Sequence, residues 1–239
     1  MRLHPSAPMK PAEIPIQECG EPLVDIRLAG GIHFGPPPEC PETEPDYCLL
    51  RREVYRRLLQ VQDALPRPYR LRLYEGLRSQ AVQSLLFDQE KRRVRERSPH
   101  LSPEAVHAEA TALVSPVVHW DGTKNTPPHS TGGAVDVEIV DGHGKVLDYG
   151  MEIRDWSVVE PALCAPLCPS LTEAARCNRS QLAQLMEREG FAAYEHEWWH
   201  FSYGDQYWAH RKGHSVAQYG SCTLDMIFAA RATKGDPRA

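Results

Sequence analysis

The segment PPHSTGGAVDVEI, residues 127–139, constrains the fold more than any other part of the chain. Val135, Val137 and Ile139 alternate with Asp136 and Glu138, the two-residue period of a strand with one apolar face. Just before them, Gly132 and Gly133 tolerate positive φ, so the backbone can reverse and bring His129 back toward Asp136. On an unbroken strand, residues seven apart point to opposite faces. The segment alone leaves two readings open. One is a glycine turn with a surface histidine and a hydrogen-bonded aspartate; the other is a loop and strand that present an imidazole and a carboxylate to one ion.

A second segment, EHEWWHF at 195–201, bears on that choice. Glu197 stands three residues before His200, with Trp198 and Trp199 between them. A third ligand and a nearby carboxylate base complete a metallohydrolase centre, and aromatic neighbours exclude competing water. The helical H-E-x-x-H arrangement is absent, so the chain is no thermolysin-type zincin. Glu197 and His200 diverge on an ideal strand, so their convergence needs a bulge, a twist or a strand end. The competing reading is an aromatic core strand with a satisfied histidine.

At 239 residues, 41% hydrophobic and 25% charged, the chain can bury one sizeable core. A net charge of −5 gives no reason to expect a nucleic-acid partner. The basic run KRRVRER at 91–97 reads as the solvated end of a helix. No segment approaches the roughly 20 apolar residues of a membrane span. The first residues, MRLHPSAPMKPAEIPIQECG, lack the apolar region of a secretory leader, so the expectation is a cytoplasmic protein with no membrane partner. Seven cysteines without the tight pairing of a zinc knuckle are expected to be reduced and mostly packed.

Along the chain, residues 1–45 are Pro- and Gly-rich and are expected to form an irregular arm on a single domain spanning 46–239. Leu50, Val54, Leu58, Val61 and Leu65 fall on one face of a helix predicted from Asp46, which PRP at 66–68 stops. YRLRLYEG reads as a strand ending at Gly76, with Arg78 in the loop before a helix near Ser79. Ser102 and Pro103 open a further helix. Residues 129–150 read as a hairpin turning at DGHG. NRSQLAQLMEREGF is a helix with Asn178 and Gln181 as a capping-box-like pair and Gly190 at its C′ position. FAAYEHEWWHFSYG reads as a strand. Helices and antiparallel hairpins without a βαβ rhythm define an α+β class, a central antiparallel sheet flanked by helices.

Taken together, these motifs resemble a known family. HSTGGAVD fits H-x-x-G-x-A-x-D and EWWHF fits E-x-W-H, the signatures of zinc D-alanyl-D-alanine dipeptidases related to the vancomycin-resistance enzyme. DIRLAGGIHFG, CLLRREVYRRL, EGLRS, LDYG and NR…LMEREGF are similar to further family segments, in order from about residue 25 to 205. The resemblance implies the fold shared with D-Ala-D-Ala carboxypeptidases and the hedgehog signalling domain. It implies one zinc ion per chain on His129, Asp136 and His200, with Glu197 as general base and Arg78 hydrogen-bonding the scissile carbonyl. The implied activity is hydrolysis of D-Ala-D-Ala or a closely related short dipeptide in cell-wall peptide metabolism. The chain departs from the family at Glu75, Leu77 and Ser79 of its Asp-Gly-Tyr-Arg-Pro motif, at Pro127 for a serine and at Leu28 for a tyrosine. Asp155 replaces a family acid only with a one-residue shift. These positions surround the substrate rather than the metal. Two alternatives stand beside this expectation: a D,D- or L,D-carboxypeptidase acting on muropeptides, and a non-catalytic, zinc-stabilised binding module. The missing leader speaks against the first, and the joint presence of Glu197 and Arg78 against the second.

Overall fold

The structure, a computed structural model, describes residues 10–38 and 40–232. The arm expected to be irregular carries strand β1 (Leu23–Asp25), the short helix α1 (Ile26–Ala29) and strand β2 (His33–Phe34). Its first nine positions lie outside the described residues. The helix expected from Asp46 begins later: Leu49–Arg51 is strand β3, antiparallel to β1, and helix α2 follows over Arg52–Ala64. Spacings of three and four do not mark this handover, because Leu50 is buried from the strand just as it would be from a helix. From Val54 on the stripe holds. Val54, Leu58 and Val61 are fully buried, each contributing about 1.5–3 kcal/mol of transfer free energy.

Strand β4 (Arg70–Glu75) leads into helix α3 (Gln80–Arg97), whose N-cap Ser79 accepts from the Val82 N–H at 3.3 Å. The basic run forms the last turns of α3, where Val94 alone faces inward among residues 91–97. Helix α4 (Pro103–Ala110) starts as expected, with the Ser102 hydroxyl accepting from Ala105 N–H at 3.2 Å. Strand β5 (Ala134–Val140) is buried at every position. Its alternation is nonetheless chemical. Val135, Val137 and Ile139 share the main core with Leu58, Leu182 and Met186, while Glu138 on the other face is paired to Arg72 at 2.6 Å. The expected return strand shrinks to a bridge between Val140 and Val146. The Asp141 carboxylate holds the turn, accepting from the His143 and Lys145 N–H groups at 2.8 and 3.0 Å.

Helix α5 (Pro161–Cys164) is a single turn, and α6 spans Glu173–Arg188. The latter begins earlier than Asn178 suggests. Its N-cap is Thr172, whose hydroxyl accepts from Ala175 N–H at 3.1 Å, and Asn178 instead donates to the Asp148 carbonyl at 2.7 Å. Gly190 does take positive φ, at 87°, just past the helix end. Thr172→Ala should therefore cost about 1 kcal/mol in urea unfolding, with Asn178→Ala costing less. A larger loss at Asn178 would contradict this helix start. The final aromatic segment is two strands rather than one: β6 (Ala192–Ala193) and β7 (His200–Ser202), antiparallel to each other, with residues 194–199 as the loop between them. Helices α7 (Gln206–Lys212) and α8 (Leu224–Ala232) complete the described chain.

The sheet runs β2-β4-β5-β7-β6. Every pairing is antiparallel except β2 with β4 at one edge. With helices packed around it, this is the α+β architecture predicted. Helices α2 and α6 pack on each other over the main core, and α3 and α4 enclose a second, smaller one. Among the described residues no helix is long and apolar enough to cross a membrane. All seven cysteines are free thiols, four of them buried.

One buried side chain ties distant parts of this frame together. The Arg51 guanidinium, fully buried, donates from Nε to the Thr131 carbonyl at 2.8 Å and from Nη1 to the Glu21 carbonyl at 2.7 Å. It meets Glu18 at 2.9 and 3.0 Å, donates to the Gly220 carbonyl at 3.2 Å and lies 4.8 Å from the centre of the Tyr219 ring. Five N–H donors in a rigid fork suit such a junction.

Candidate metal centre

His129 lies in a 3-10 turn, Pro128–Thr131, which Gly132 ends in the left-handed region at φ 69°. Gly133 follows where a Cβ would run into the Tyr203 carbonyl, so β7 can approach the start of β5 only past a glycine. The reversal inferred from the two glycines is thus present. It returns His129 to the sheet beside Asp136, while Asp136 and His200 face each other directly in the β5–β7 register.

The three side chains converge. His129 Nε2 lies 3.1 Å from His200 Nδ1 and 3.3 Å from Asp136 Oδ1, and His200 Nδ1 lies 3.0 Å from the same oxygen. All three are buried. The tautomer of His129 follows from its other nitrogen. Nδ1 sits 2.8 Å from the Gly76 carbonyl, which can only accept, so Nδ1 is the donor there and Nε2 is the nitrogen turned toward the cluster. Burial pulls the His200 pKa down, against the pull of the Asp136 carboxylate, which favours the neutral imidazole that binds metals. Burial alone would raise Asp136, but His129 and His200 outweigh it and keep it ionised. Lone pairs and a carboxylate packed this closely repel one another unless a proton or a cation stands among them. Two imidazole nitrogens and one carboxylate oxygen are a donor set that suits zinc. The residues fit the ion.

Glu197 reaches the same point by a turn rather than by strand geometry. The His200 N–H approaches the Glu197 carbonyl at 3.4 Å, folding residues 197–200 so that Glu197 Oε2 stands 3.8 Å from His200 Nδ1. Burial pushes the Glu197 carboxyl well above the usual range, the Asp136 charge adds to this, and Arg78 opposes it. Trp199 lines the cavity beside it, whereas Trp198 stacks on Tyr149 at 4.0 Å and belongs to the core.

Arg78 is held from two sides. Glu75 accepts from its Nε at 3.1 Å and from Nη2, and Gln83 Oε1 accepts from Nη1 at 3.1 Å. Three of the five guanidinium N–H groups are thereby engaged, leaving one hydrogen on each Nη for a ligand. Burial works against the charge of Arg78, but Glu75 more than compensates, so the guanidinium stays ionised. Glu75 pairs with Asp136 across the β4–β5 register, next to a shift in the ladder. The departure from the family's aspartate therefore keeps a carboxylate on the arginine. The backbone joins in as well: Arg78 N–H donates to the His129 carbonyl at 3.2 Å.

These groups open into a cavity of about 620 Å3. Of the departing positions, Leu77 is fully buried in a small cluster with Leu23 and Leu49, and Pro127 caps the ligand turn. Ile153 and Trp156 reach the cavity wall where Asp155 was the sequence candidate. Two residues that the sequence did not single out also build the site. Gln83 carries no sequence signal, since it meets Arg78 across the helix cap. Tyr194, whose ring lies 5.6 Å from that of His200, could have been noticed as one more aromatic just before Glu197. Among the other histidines, His119 lines the cavity, His196 meets the edge of Tyr194 and His214 stacks on Trp208.

The α+β fold thus brings a buried His/Asp/His cluster, a neighbouring carboxyl and a restrained arginine into one cavity. Residues 43–218 match the model of a peptidase family described as D-ala-D-ala dipeptidase. The D-alanyl-D-alanine dipeptidase of Synechocystis sp. (strain ATCC 27184 / PCC 6803 / Kazusa) is 32% identical over 242 residues, covering 89% of this chain and 97% of that one. The D-alanyl-D-alanine dipeptidase of Escherichia coli (strain K12) is 37% identical over 73 residues, 30% of this chain and 36% of that one. Among solved structures, the LdcB LD-carboxypeptidase aligns with a TM-score of 0.44 and 16% identity over 90% of this chain and 79% of that one. The chain belongs to the D-alanyl-D-alanine dipeptidase family and is a peptidase.

Proposed function

We propose that this peptidase hydrolyses D-Ala-D-Ala, or a closely related short dipeptide, with one zinc ion on His129, Asp136 and His200. The observation that carries the reading is the convergence of these three donors within 4.8 Å, with the Glu197 carboxyl beside them. When bound, the ion supplies Lewis acidity toward a carbonyl oxygen and a water, and the positive charge that returns Glu197 to its carboxylate form.

The chain's own groups do the rest. Glu197 takes the proton of the attacking water on its carboxylate and passes it to the leaving amine. Arg78, fixed by Glu75 and Gln83, turns its remaining N–H groups toward the oxygen on which negative charge develops. The Gly76 carbonyl orients the His129 imidazole, and Trp199 and Tyr194 keep bulk water from the reacting atoms.

Chelation tests the reading. Protein with one equivalent of zinc should release D-alanine from D-Ala-D-Ala, lose that activity on removal of the metal and regain it when zinc returns. Full turnover in metal-free protein would overturn the zinc assignment, and stoichiometric zinc without hydrolysis would favour a binding module.

A further inference from the structure

We infer that the site prefers dipeptides with one bulky apolar side chain over the dipeptide with two methyl groups. This rests on the dipeptidase reading and narrows its substrate class. The cavity of about 620 Å3 lies within the range of about 300–1,000 Å3 typical of small-molecule pockets, including those for drug-sized ligands. D-Ala-D-Ala, with two methyl side chains, is much smaller than that.

Two lines of contact locate the excess space. From the metal side, the Tyr194 ring stands 5.6 Å from the His200 ring, and its hydroxyl donates to the Ala112 carbonyl at 3.0 Å. From the arginine side, Arg78 Nη1 donates to Gln83 at 3.1 Å, and Gln83 Nε2 donates to the Ser115 carbonyl at 2.7 Å. Both lines end on residues 112–115, and Leu113 and Val114 of that stretch line the same cavity as the reacting groups. Leu86, Ile153 and Trp156 extend the same wall. Leu113 and Trp156 pack against both the main core and the small core between α3 and α4, which fixes the wall in place.

Two long polar side chains beside this wall are already engaged. Gln83 bridges Arg78 and Ser115, while Arg93 pairs with Glu90 at 3.2 Å and covers the Trp156 ring at 4.8 Å. A methyl group leaves such a surface hydrated, whereas a leucine- or phenylalanine-sized group displaces that water. Differences of this kind are worth roughly 10- to 200-fold in kcat/KM.

The zinc-loaded protein should be assayed with D-Ala-D-Ala, D-alanyl-D-phenylalanine and D-phenylalanyl-D-alanine, and the same three titrated calorimetrically into its Glu197→Ala variant. One phenylalanyl dipeptide should exceed D-Ala-D-Ala by about tenfold or more in kcat/KM and bind correspondingly tighter. Val114→Phe, which fills the wall, should collapse that ratio. D-Ala-D-Ala equal to or better than both in rate and binding would overturn the inference, even with the dipeptidase reading intact. Tighter binding of a phenylalanyl dipeptide without hydrolysis of any of the three would uphold the apolar subsite and sink the dipeptidase reading instead.

Discussion

Glu197→Ala is expected to bind zinc as the wild type does and to lose about 10²- to 10⁴-fold in kcat. The residue stands 3.8 Å from His200 Nδ1, outside the trio of mutually close donor atoms, so removing it leaves the ligand set whole. What disappears is the carboxylate beside the ligand trio that is free to carry a proton, since Asp136 belongs to that trio and Glu75 is paired with Arg78. Metal analysis and dipeptide turnover on the same sample decide the matter. A zinc-loaded variant with near-normal kcat would remove Glu197 from the role of base.

Arg78→Ala should lower kcat and kcat/KM together, by about 10²- to 10³-fold, as loss of one oxyanion donor does elsewhere. An increase in KM with kcat unchanged would instead make it a substrate-binding group. The substitution also strands Glu75, whose side chain is only 4% exposed, and breaking one side of a buried pair can cost about 3–5 kcal/mol of stability. The double variant Glu75→Gln/Arg78→Ala separates the two effects: stability should recover while kcat stays low. Arg78→Lys should not rescue, because an ammonium cannot keep the bidentate grip on Glu75 and reach Gln83 as well.

Much of the site was legible because its chemistry is local. Two glycines announced the reversal at His129, and the spacing of Glu197 and His200 demanded an interruption of the strand, which the 197–200 turn supplies. The α+β class followed from alternating patterns and caps such as Ser79 and Ser102. Boundaries were less legible where one pattern serves two structures. Leu50 fits the stripe of α2 but lies in β3, and Asn178 looks like a cap inside a helix that Thr172 begins. The short strand β2 was hidden because its parallel partner β4 lies some forty residues downstream and its side chains are exposed. Gln83 and the wall at Leu113 and Val114 belong to no motif, since only the packing of α3 and α4 brings them to the cavity.

The junction at Arg51 has a consequence for how the protein matures. The turn bearing His129 is anchored through Thr131 to an arginine that also meets Glu18, far upstream in sequence, and the Gly220 carbonyl, far downstream. During synthesis, when domains assemble from the N-terminus onward, that anchorage stays incomplete until Gly220 has left the ribosome. The ligand turn thus gains its full support only once Gly220 is in place, and a nascent chain halted short of residue 220 carries both histidines yet lacks one tie of the brace behind the first.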